Sequence, residues 1–220
     1  LIAQFYRQPS IAKLLGEQGY LSHQSGKWWE GSYQRGGFTH GMTRGFPNPG
    51  GRHGDDGLKI GREGLTPIFD FIDHATTEKK PFFVWYAPMM PHDPHTPPER
   101  LLAKYRDKSP TPQAAKYHAM VEWFDETIGE IRAHLEKEGL TRDTIIVYIA
   151  DNGWIPRTDK PSVDFERSKQ SPFDGGVRTP IFVSWPGRIK PTVMAEAASA
   201  VDILPTLLKL VGAPVPADGD

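Results

Sequence analysis

A carboxylate and an amide stand at the end of the most apolar strand of this chain. The stretch "TIIVYIADNGW" at 144–154 runs through apolar and β-branched residues and then reaches Asp151 and Asn152. Carboxylate and amide oxygens are the ligands that hard cations such as Ca²⁺ and Mg²⁺ prefer. Two such ligands are too few for a complete site, because calcium takes about six to eight oxygens. The same "DNG" letters are also typical of an ordinary turn.

Imidazole and ammonium groups follow two further strands. The stretch "PFFVWYAPMMPHDPH" at 81–95 carries His92 and His95 after its strand, and a weaker strand near 20–25 ends at Lys27. Ligands of open α/β sheets bind outside the carboxyl ends of the strands. If these strands are neighbours, we expect all these groups at one rim. A lysine and a histidine beside a metal suit an oxyanion substrate, because one neutralises charge and the other donates a proton.

Each signal has a simpler interpretation when it is taken alone. Lys27 follows a glycine and could be an ordinary solvated lysine, and His92 could cap backbone groups of its proline-rich loop. The stretch "DGGVRTP" at 174–180 could be a glycine turn whose arginine pins a loop. The case for a site therefore depends on the order of the motifs along the chain.

The alternation of helix and strand patterns predicts an α/β fold with a mainly parallel central sheet and helices on both faces. We predict helices at 8–20, 66–78, 113–138 and 202–212, and strands at 20–25, 82–87, 144–150 and 179–187. In the second helix we expect Thr66 as the cap and Pro67 at the first helical position, and one face is formed by Ile68, Phe71, Ile72 and Ala75. The apolar stripe of the third helix, which Gly139 ends, is formed by Tyr117, Met120, Val121, Phe124, Ile128, Ile131 and Leu135. Residues 31–64 hold eleven glycines and are expected to form a long irregular excursion, and 214–220 a terminal loop.

Composition excludes several function classes. The chain has 220 residues, which is enough to bury one sizeable core. Its 26 basic and 27 acidic residues argue against a nucleic-acid or membrane-surface partner. No apolar run approaches the roughly 20 residues of a membrane span. The absence of cysteine excludes disulfides and thiolate metal sites within these residues.

Five stretches, taken in order, resemble the sulfatase family within the alkaline-phosphatase-like superfamily. They are "LLGEQGYLSHQSGKWWEG", "PFFVWYAPMMPHDPHTPPERLLAKY", "YHAMVEWFDETIGEIRAHLEKEGLTRDTIIVYIADNG", "RSKQSPFDGGVRTPIFVSWPGRI" and "VDILPTLLKLVG". Together they cover nearly the whole chain in the order and spacing of the family. The resemblance implies that residues 1–220 form one partial sulfatase catalytic domain, incomplete at its N-terminus.

The resemblance also implies roles for individual residues. Asp151 and Asn152 would bind calcium, in preference to magnesium. Lys27 in "GKW" and Lys169 in "SKQSPFDGG" match two lysines that hold the sulfate group and take part in catalysis. Arg178 looks structural by the same comparison, and we expect it to brace the loop that carries Lys169.

Further positions concern the leaving group and the substrate. His92 matches the histidine that serves the leaving-group oxygen, and His95 remains open as the alternative because the "PHDPH" spacing allows either. Trp29 stands where many sulfatases have a histidine that contacts the nucleophile, and we expect it to shape the pocket. The excursion at 31–64, with His53, is expected to form a substrate-selecting wall, and a solvated loop is the alternative.

Two features of the family pattern are missing from the sequence. The family's nucleophile is a formylglycine made from a Cys/Ser-x-Pro-x-Arg motif, which these residues do not contain. The N-terminal aspartate pair that completes the calcium site is missing as well. Both ends of the chain look like cuts inside a larger protein. We therefore expect this chain alone to be inactive and its parent protein to depend on a formylglycine-generating enzyme.

The resulting expectation is hydrolysis of a small-molecule or carbohydrate sulfate ester by the parent protein. A phosphonate or phosphate ester hydrolase of the same superfamily, or a non-catalytic remnant with a structural or binding role, are the alternatives. The resemblance also implies an exported or lysosomal protein: periplasmic, secreted or lysosomal.

Overall fold

The computed structural model describes residues 7–28, 31–45, 56–154 and 167–216. The chain divides into two compact units. The first contains the described residues up to Met89 together with those from Val201 onward, and the second is Met90–Ala200. No helix among the described residues has the length and apolar character needed to cross a membrane.

The helices and strands follow the predicted order, with additions. In chain order they are α1 (Ile11–Glu17), β1 (Leu21–Gly26), β2 (His40–Gly41), α2 (Thr66–Thr77), β3 (Phe82–Ala87), α3 (Glu99–Tyr105), α4 (Pro112–Lys137), β4 (Ile146–Ile149), α5 (Asp174–Val177), β5 (Ile181–Ser184) and α6 (Ile203–Leu210). Short 3₁₀ turns occupy Asp56–Leu58 and Ala200–Asp202. The sequence prediction missed β2, α3 and the single-turn helix α5.

The first unit is built on a parallel sheet with the strand order β2-β1-β3. β1 runs in register with β3 from Leu21 opposite Phe82 to Gly26 opposite Ala87. The parallel arrangement that the sequence predicted is confirmed for these strands. Their carboxyl ends therefore lie at one edge of this sheet, where Lys27 follows β1.

Helix α2 buries the apolar face that its sequence predicted. Its buried residues are the four that the sequence placed on one face: Ile68, Phe71, Ile72 and Ala75. Pro67 occupies the first turn, where its missing N–H costs nothing. The sequence placed Thr66 as the cap, but Thr66 is the first helical residue and Leu65 precedes it without a side-chain cap.

Strand β1 is polar and yet buried, which explains why its pattern looked weak. Ser22, Gln24 and Ser25 are each at most 1% exposed. Their hydrogen-bonding groups have partners: the Ser22 N–H donates to Thr39 Oγ1 over 2.8 Å, and Ser25 Oγ donates to the Trp85 carbonyl over 3.0 Å. A buried polar group is tolerated when it is paired in this way.

The described parts of the glycine-rich excursion belong to the core. β2 pairs with β1, and Phe38, Leu58 and Ile60 are buried. The alternative interpretation of 31–64 as a solvated loop is therefore wrong for these parts. The sequence did not predict this packing, because the few apolar residues of this stretch have no periodic spacing and each fills a separate position in the core.

The second unit contains the β4–β5 pair and the long helix α4. The two strands are antiparallel, with Ile146 opposite Ser184 and Ile149 opposite Ile181. This pair departs from the parallel pattern. Helix α4 buries small residues that the apolar stripe did not include, namely Ala114, Ala115, Ala119 and Thr127. Val121, which the sequence placed on the buried face, is 41% exposed.

Candidate active site

The turn after β4 is locked to helix α5 through a close contact between glycines. The Gly153 N–H donates to the Gly176 carbonyl over 2.9 Å. A Cβ atom at position 153 would lie 1.8 Å from the Gly175 carbonyl oxygen. Gly153 does not have a left-handed φ, so this position requires glycine for backbone approach rather than for turn geometry.

The loop that carries Lys169 packs on the same glycine turn. A Cβ atom at Gly176 would lie 2.3 Å from the Ser171 carbonyl oxygen. The Lys169 N–H donates to the Trp154 carbonyl over 3.4 Å, and Gln170 adopts a left-handed φ of 72°. The structure therefore brings the backbone of Lys169 beside the chain that leaves the "DNG" turn.

The expected bracing of this loop by Arg178 is not seen among the described residues. Its guanidinium lies 3.7 Å from the Asp174 carboxylate, and the Arg178 side chain is 83% exposed. The loop is held instead by the glycine contacts of α5. The "DGG" motif was a signal of this close packing, because two adjacent glycines allow three backbone segments to meet.

The two candidate histidines occupy different environments. His95 Nε2 lies 3.5 Å from Asp93 Oδ1, and the His95 side chain is 15% exposed. His92 is exposed, and its Nδ1 lies 3.1 Å from the Asp93 carbonyl oxygen. His95, unlike His92, lines a cleft of the second unit.

This cleft has a volume of about 500 Å³ and one aromatic wall. Its lining residues are Asp93, Pro94, His95, Gln113, Lys116 and Trp154. The Trp154 ring stacks on Tyr117, with centroids 3.9 Å apart and ring planes 4° from parallel. His95 contacts the same Tyr117 ring edge-on, with centroids 5.8 Å apart.

Burial and the charge of Asp151 raise the pKa of two tyrosines of the second unit. Burial, followed by the charges of Tyr148 and Asp151, raises the pKa of Tyr117 above its ordinary value. Burial and the charge of Asp151 likewise raise the pKa of Tyr148. Both hydroxyls therefore stay protonated at neutral pH, and they lie within electrostatic reach of the Asp151 carboxylate.

Asp151 and Asn152 fit a cation site by the chemistry of their donors. Asp151 is exposed, and Asn152 is half-buried. The Asn152 Nδ2 group donates to the Gly153 carbonyl over 3.2 Å, which leaves the amide oxygen for another partner. The pair offers two oxygen-bearing side chains, which is part of the six to eight oxygens that calcium takes.

Lys27 lies in the first unit, at the carboxyl end of β1. Its N–H donates to the Ala87 carbonyl over 2.6 Å, beside Gly26, whose φ is 82°. The buried Gly26 carbonyl accepts hydrogen bonds from Thr43 Oγ1 over 2.9 Å and from Gln24 Nε2 over 3.0 Å. The sequence did not predict a role for Gln24 and Thr43, although polar residues inside a strand can indicate such a network.

Two predicted site residues, Trp29 and His53, lie outside the described residues. Among the other predicted positions, the second unit brings the backbones of Asn152 and Lys169 close together through Gly153, Trp154 and α5, with His95 on the adjoining cleft. Lys27 belongs to the first unit. Its predicted role in binding sulfate stays a prediction.

The fold and these motifs define an α/β protein, and comparison with known proteins identifies its family. The sulfatase family model matches residues 3–213. The chain therefore belongs to the sulfatase family.

Its relatives include two mammalian enzymes. The chain is 28% identical to human arylsulfatase A over 94% of its own length and 48% of that protein. It is 27% identical to N-acetylgalactosamine-6-sulfatase of Canis lupus familiaris, over 94% of the chain and 46% of that protein. The chain thus spans about half the length of these curated relatives.

A solved structure shares the fold. Ps i-CgsB, crystallised in complex with k-i-k-neocarrahexaose, superposes with a TM-score of 0.76 at 24% identity, over 95% of this chain and 54% of that one. The α/β fold predicted from the sequence is confirmed.

Proposed function

We propose that these residues are part of an enzyme that hydrolyses sulfate esters. Membership of the sulfatase family supports this reaction class, and the relatives named above are sulfatases. A phosphate or phosphonate ester is the competing substrate within the superfamily, and the assay below includes it.

The observation that carries the proposal is the meeting of three segments at α5. Gly153 approaches Gly175 and Gly176 too closely for any side chain, and the Lys169 loop packs on the same turn. The hydrogen bond from the Lys169 N–H to the Trp154 carbonyl joins the lysine loop to the chain after the "DNG" turn. A cation-binding pair and an ammonium group on adjoining backbone suit a tetrahedral anion.

The ammonium group of Lys169 would neutralise charge on the sulfate group, and the sequence motif around Lys27 predicts the same role for that lysine. A histidine would donate a proton to the leaving-group oxygen. The side chain in the cleft is His95, so we assign this role to His95, with His92 as the alternative. The distance of 3.5 Å between His95 Nε2 and Asp93 Oδ1 supports this assignment, because a carboxylate beside the ring can orient it.

Asp151 and Asn152 would hold the metal ion, and Ca²⁺ fits their oxygen donors. When bound, the ion would supply positive charge that favours an anionic group nearby. The expected nucleophile is a formylglycine, whose source motif is absent from these 220 residues. We therefore propose that the 220 residues alone do not turn over a sulfate ester.

The test uses the full-length protein that carries these residues, co-produced with a formylglycine-generating enzyme. Release of sulfate from 4-nitrophenyl sulfate and of phosphate from 4-nitrophenyl phosphate is measured under the same conditions. We expect sulfate release, and a loss of roughly 100-fold in kcat/KM in Lys169→Ala, the size of loss seen when one charge-stabilising group is removed.

Lys190→Ala is the matched control, because Lys190 is an exposed lysine of the same unit. We expect it to keep full activity. Faster phosphate than sulfate release, or equal activity of the Lys169→Ala and Lys190→Ala variants, would contradict the proposal.

A further inference from the structure

The Trp154 ring is held rigidly at the edge of the candidate site. Its backbone carbonyl accepts the hydrogen bond from Lys169, and the preceding Gly153 is locked to α5. One ring face rests on Tyr117 at a centroid distance of 3.9 Å, nearly parallel. An aromatic ring fixed from both its backbone and its face is pre-organised for binding.

Tyr117 is itself held in place. It is part of helix α4, and the His95 ring contacts it edge-on. The Tyr117–Trp154 stack therefore connects the long helix, the candidate acid and the chain that leaves the "DNG" turn. A shift of Trp154 would disturb all of these contacts. The position of the Trp154 ring is therefore determined by the packing of the second unit.

The cleft beside Trp154 offers hydrogen-bonding groups of several kinds. Asp93 can accept, Lys116 can donate, and Gln113 can do both. A volume of about 500 Å³ lies in the range of small-molecule sites. An aromatic wall and mixed donors and acceptors in one cleft match a ring that has apolar C–H faces and hydroxyl groups around its edge.

We propose that Trp154, supported by Tyr117, is the platform on which the sugar ring of a sulfated saccharide packs. Asp93, Gln113 and Lys116 then bind the ring hydroxyls. This inference rests on the proposed sulfate ester hydrolysis and assigns its leaving group as a saccharide. An aryl sulfate has no ring hydroxyls for Asp93, Gln113 and Lys116 to bind, so nothing holds its ring in one position on the platform, and such sites discriminate strongly against substrates that lack the hydroxyls.

The experiment compares two substrate types in the full-length, formylglycine-bearing protein. One is 4-nitrophenyl sulfate, and the other is a panel of singly sulfated galactose, N-acetylgalactosamine and glucosamine. We expect at least one sulfated sugar to be turned over. In Trp154→Ala, kcat/KM for that sugar is expected to fall roughly tenfold or more, through loss of aromatic packing, while the aryl sulfate changes by less than about threefold.

Three further variants keep the test independent of folding. Trp154→Phe retains an aromatic face and is expected to recover most of the sugar activity. Gln113→Ala alters one cleft side chain at the start of α4 and is expected to lower the sugar rate while leaving the aryl rate near wild type. Trp185→Ala removes an indole that hydrogen-bonds to the Arg142 carbonyl instead, and should leave the ratio of the two rates unchanged.

The outcomes separate this inference from the proposed function. Turnover of the aryl sulfate without turnover of any sulfated sugar would overturn the saccharide platform and leave sulfate hydrolysis standing. Equal losses on both substrates in Trp154→Ala and Gln113→Ala would also overturn the platform. No release of sulfate from any substrate would overturn both proposals.

Discussion

The N–H of Gly153 donates to the carbonyl of Gly176 across 2.9 Å, which joins the turn after β4 to helix α5. The two backbones approach so closely that a methyl group at position 153 would lie 1.8 Å from the neighbouring Gly175 oxygen. The glycines of "DNG" and "DGG" are thus complementary parts of one contact. This contact fixes the direction in which Asp151 and Asn152 leave the strand.

Replacing Gly153 with alanine should damage this corner. The added methyl group must displace backbone, and over-packing of this kind costs about 1–3 kcal/mol. We expect Gly153→Ala to lower the unfolding free energy by that amount and to reduce kcat/KM of the full-length protein. Urea unfolding and a sulfate-release assay measure the two effects.

Gly129→Ala is the matched control for this substitution. Gly129 lies within α4, and a Cβ atom there meets no atom within 4 Å. Because alanine is a better helix former than glycine by about 1 kcal/mol, this variant should be slightly more stable. If Gly153→Ala behaves like Gly129→Ala, the glycine contact does not support the site.

Thr43 should support the end of β1 from which Lys27 projects. Its hydroxyl donates to the buried Gly26 carbonyl over 2.9 Å, and Thr43 has no exposed surface. Thr43→Val keeps the shape and leaves that carbonyl with one donor fewer, so we expect a loss of about 1–3 kcal/mol in unfolding free energy. We also expect a lower kcat, because the Gly26-Lys27 turn loses a restraint.

An exposed threonine provides the comparison for Thr43. Thr77 Oγ1 donates to the Asp73 carbonyl over 2.9 Å at the surface of α2. Thr77→Val removes a bond of the same type where water can replace it, so stability and kcat should stay near wild type. Equal effects of the two valine variants would show that burial of the Thr43 bond is unimportant.

His23 should make the first unit sensitive to acid. It is 5% exposed on β1, its Nδ1 has no hydrogen-bond partner in the described structure, and its ring lies 5.1 Å from that of Phe71. Burial, with the charge of His40 as a smaller cause, lowers the pKa of His23 from 6.5 to about 4. The folded unit therefore resists protonation at this residue.

The consequence is a loss of stability below neutral pH. Between pH 6.5 and pH 4, His23 is protonated in the unfolded chain and neutral in the folded chain. The unfolding free energy therefore falls as the pH is lowered. The pKa difference corresponds to a loss of about 3 kcal/mol that is complete near pH 4. Hydrogen exchange of the β1 amides at pH 7 and pH 4.5 measures this loss locally.

A substitution at His23 isolates its contribution to the pH dependence. His23→Leu removes the titrating group, so the difference in opening free energy between the two pH values should shrink by about 2–3 kcal/mol. His92→Leu, at an exposed histidine outside the first unit, is the matched control substitution. An unchanged pH dependence in His23→Leu would contradict the assignment.

The sequence predicted the elements whose burial follows a simple period. Helix α2 buries Ile68, Phe71, Ile72 and Ala75 as its spacing predicted, and β3 forms at the predicted residues. Helix α4 has its ends within a residue of those predicted from its apolar repeat and from Gly139, and the structure adds Thr111 as its N-terminal cap. Helix caps and apolar periodicity depend on residues that are close in the chain, so they can be predicted from a single sequence.

Contacts between distant segments could not be predicted in this way. The burial of Gln24 depends on Thr43, which lies in a glycine-rich stretch without apolar periodicity. The lock between Gly153 and Gly176 joins two common turn motifs whose partnership depends on the tertiary fold. The Tyr117–Trp154 stack was concealed for the same reason, since the apolar pattern of α4 placed Tyr117 in the core and gave no sign of a cleft.

Calcium-dependent release of sulfate by the full-length protein is the most direct measurement of the central claim. The protein is confirmed by mass spectrometry to carry formylglycine, and 4-nitrophenyl sulfate turnover is followed before and after chelation with EGTA. We predict turnover that is lost on chelation, is restored by added Ca²⁺, and needs a much higher Ca²⁺ concentration in Asp151→Ala. Absence of sulfate release from the confirmed protein, or turnover with identical calcium dependence in Asp151→Ala, would contradict the account.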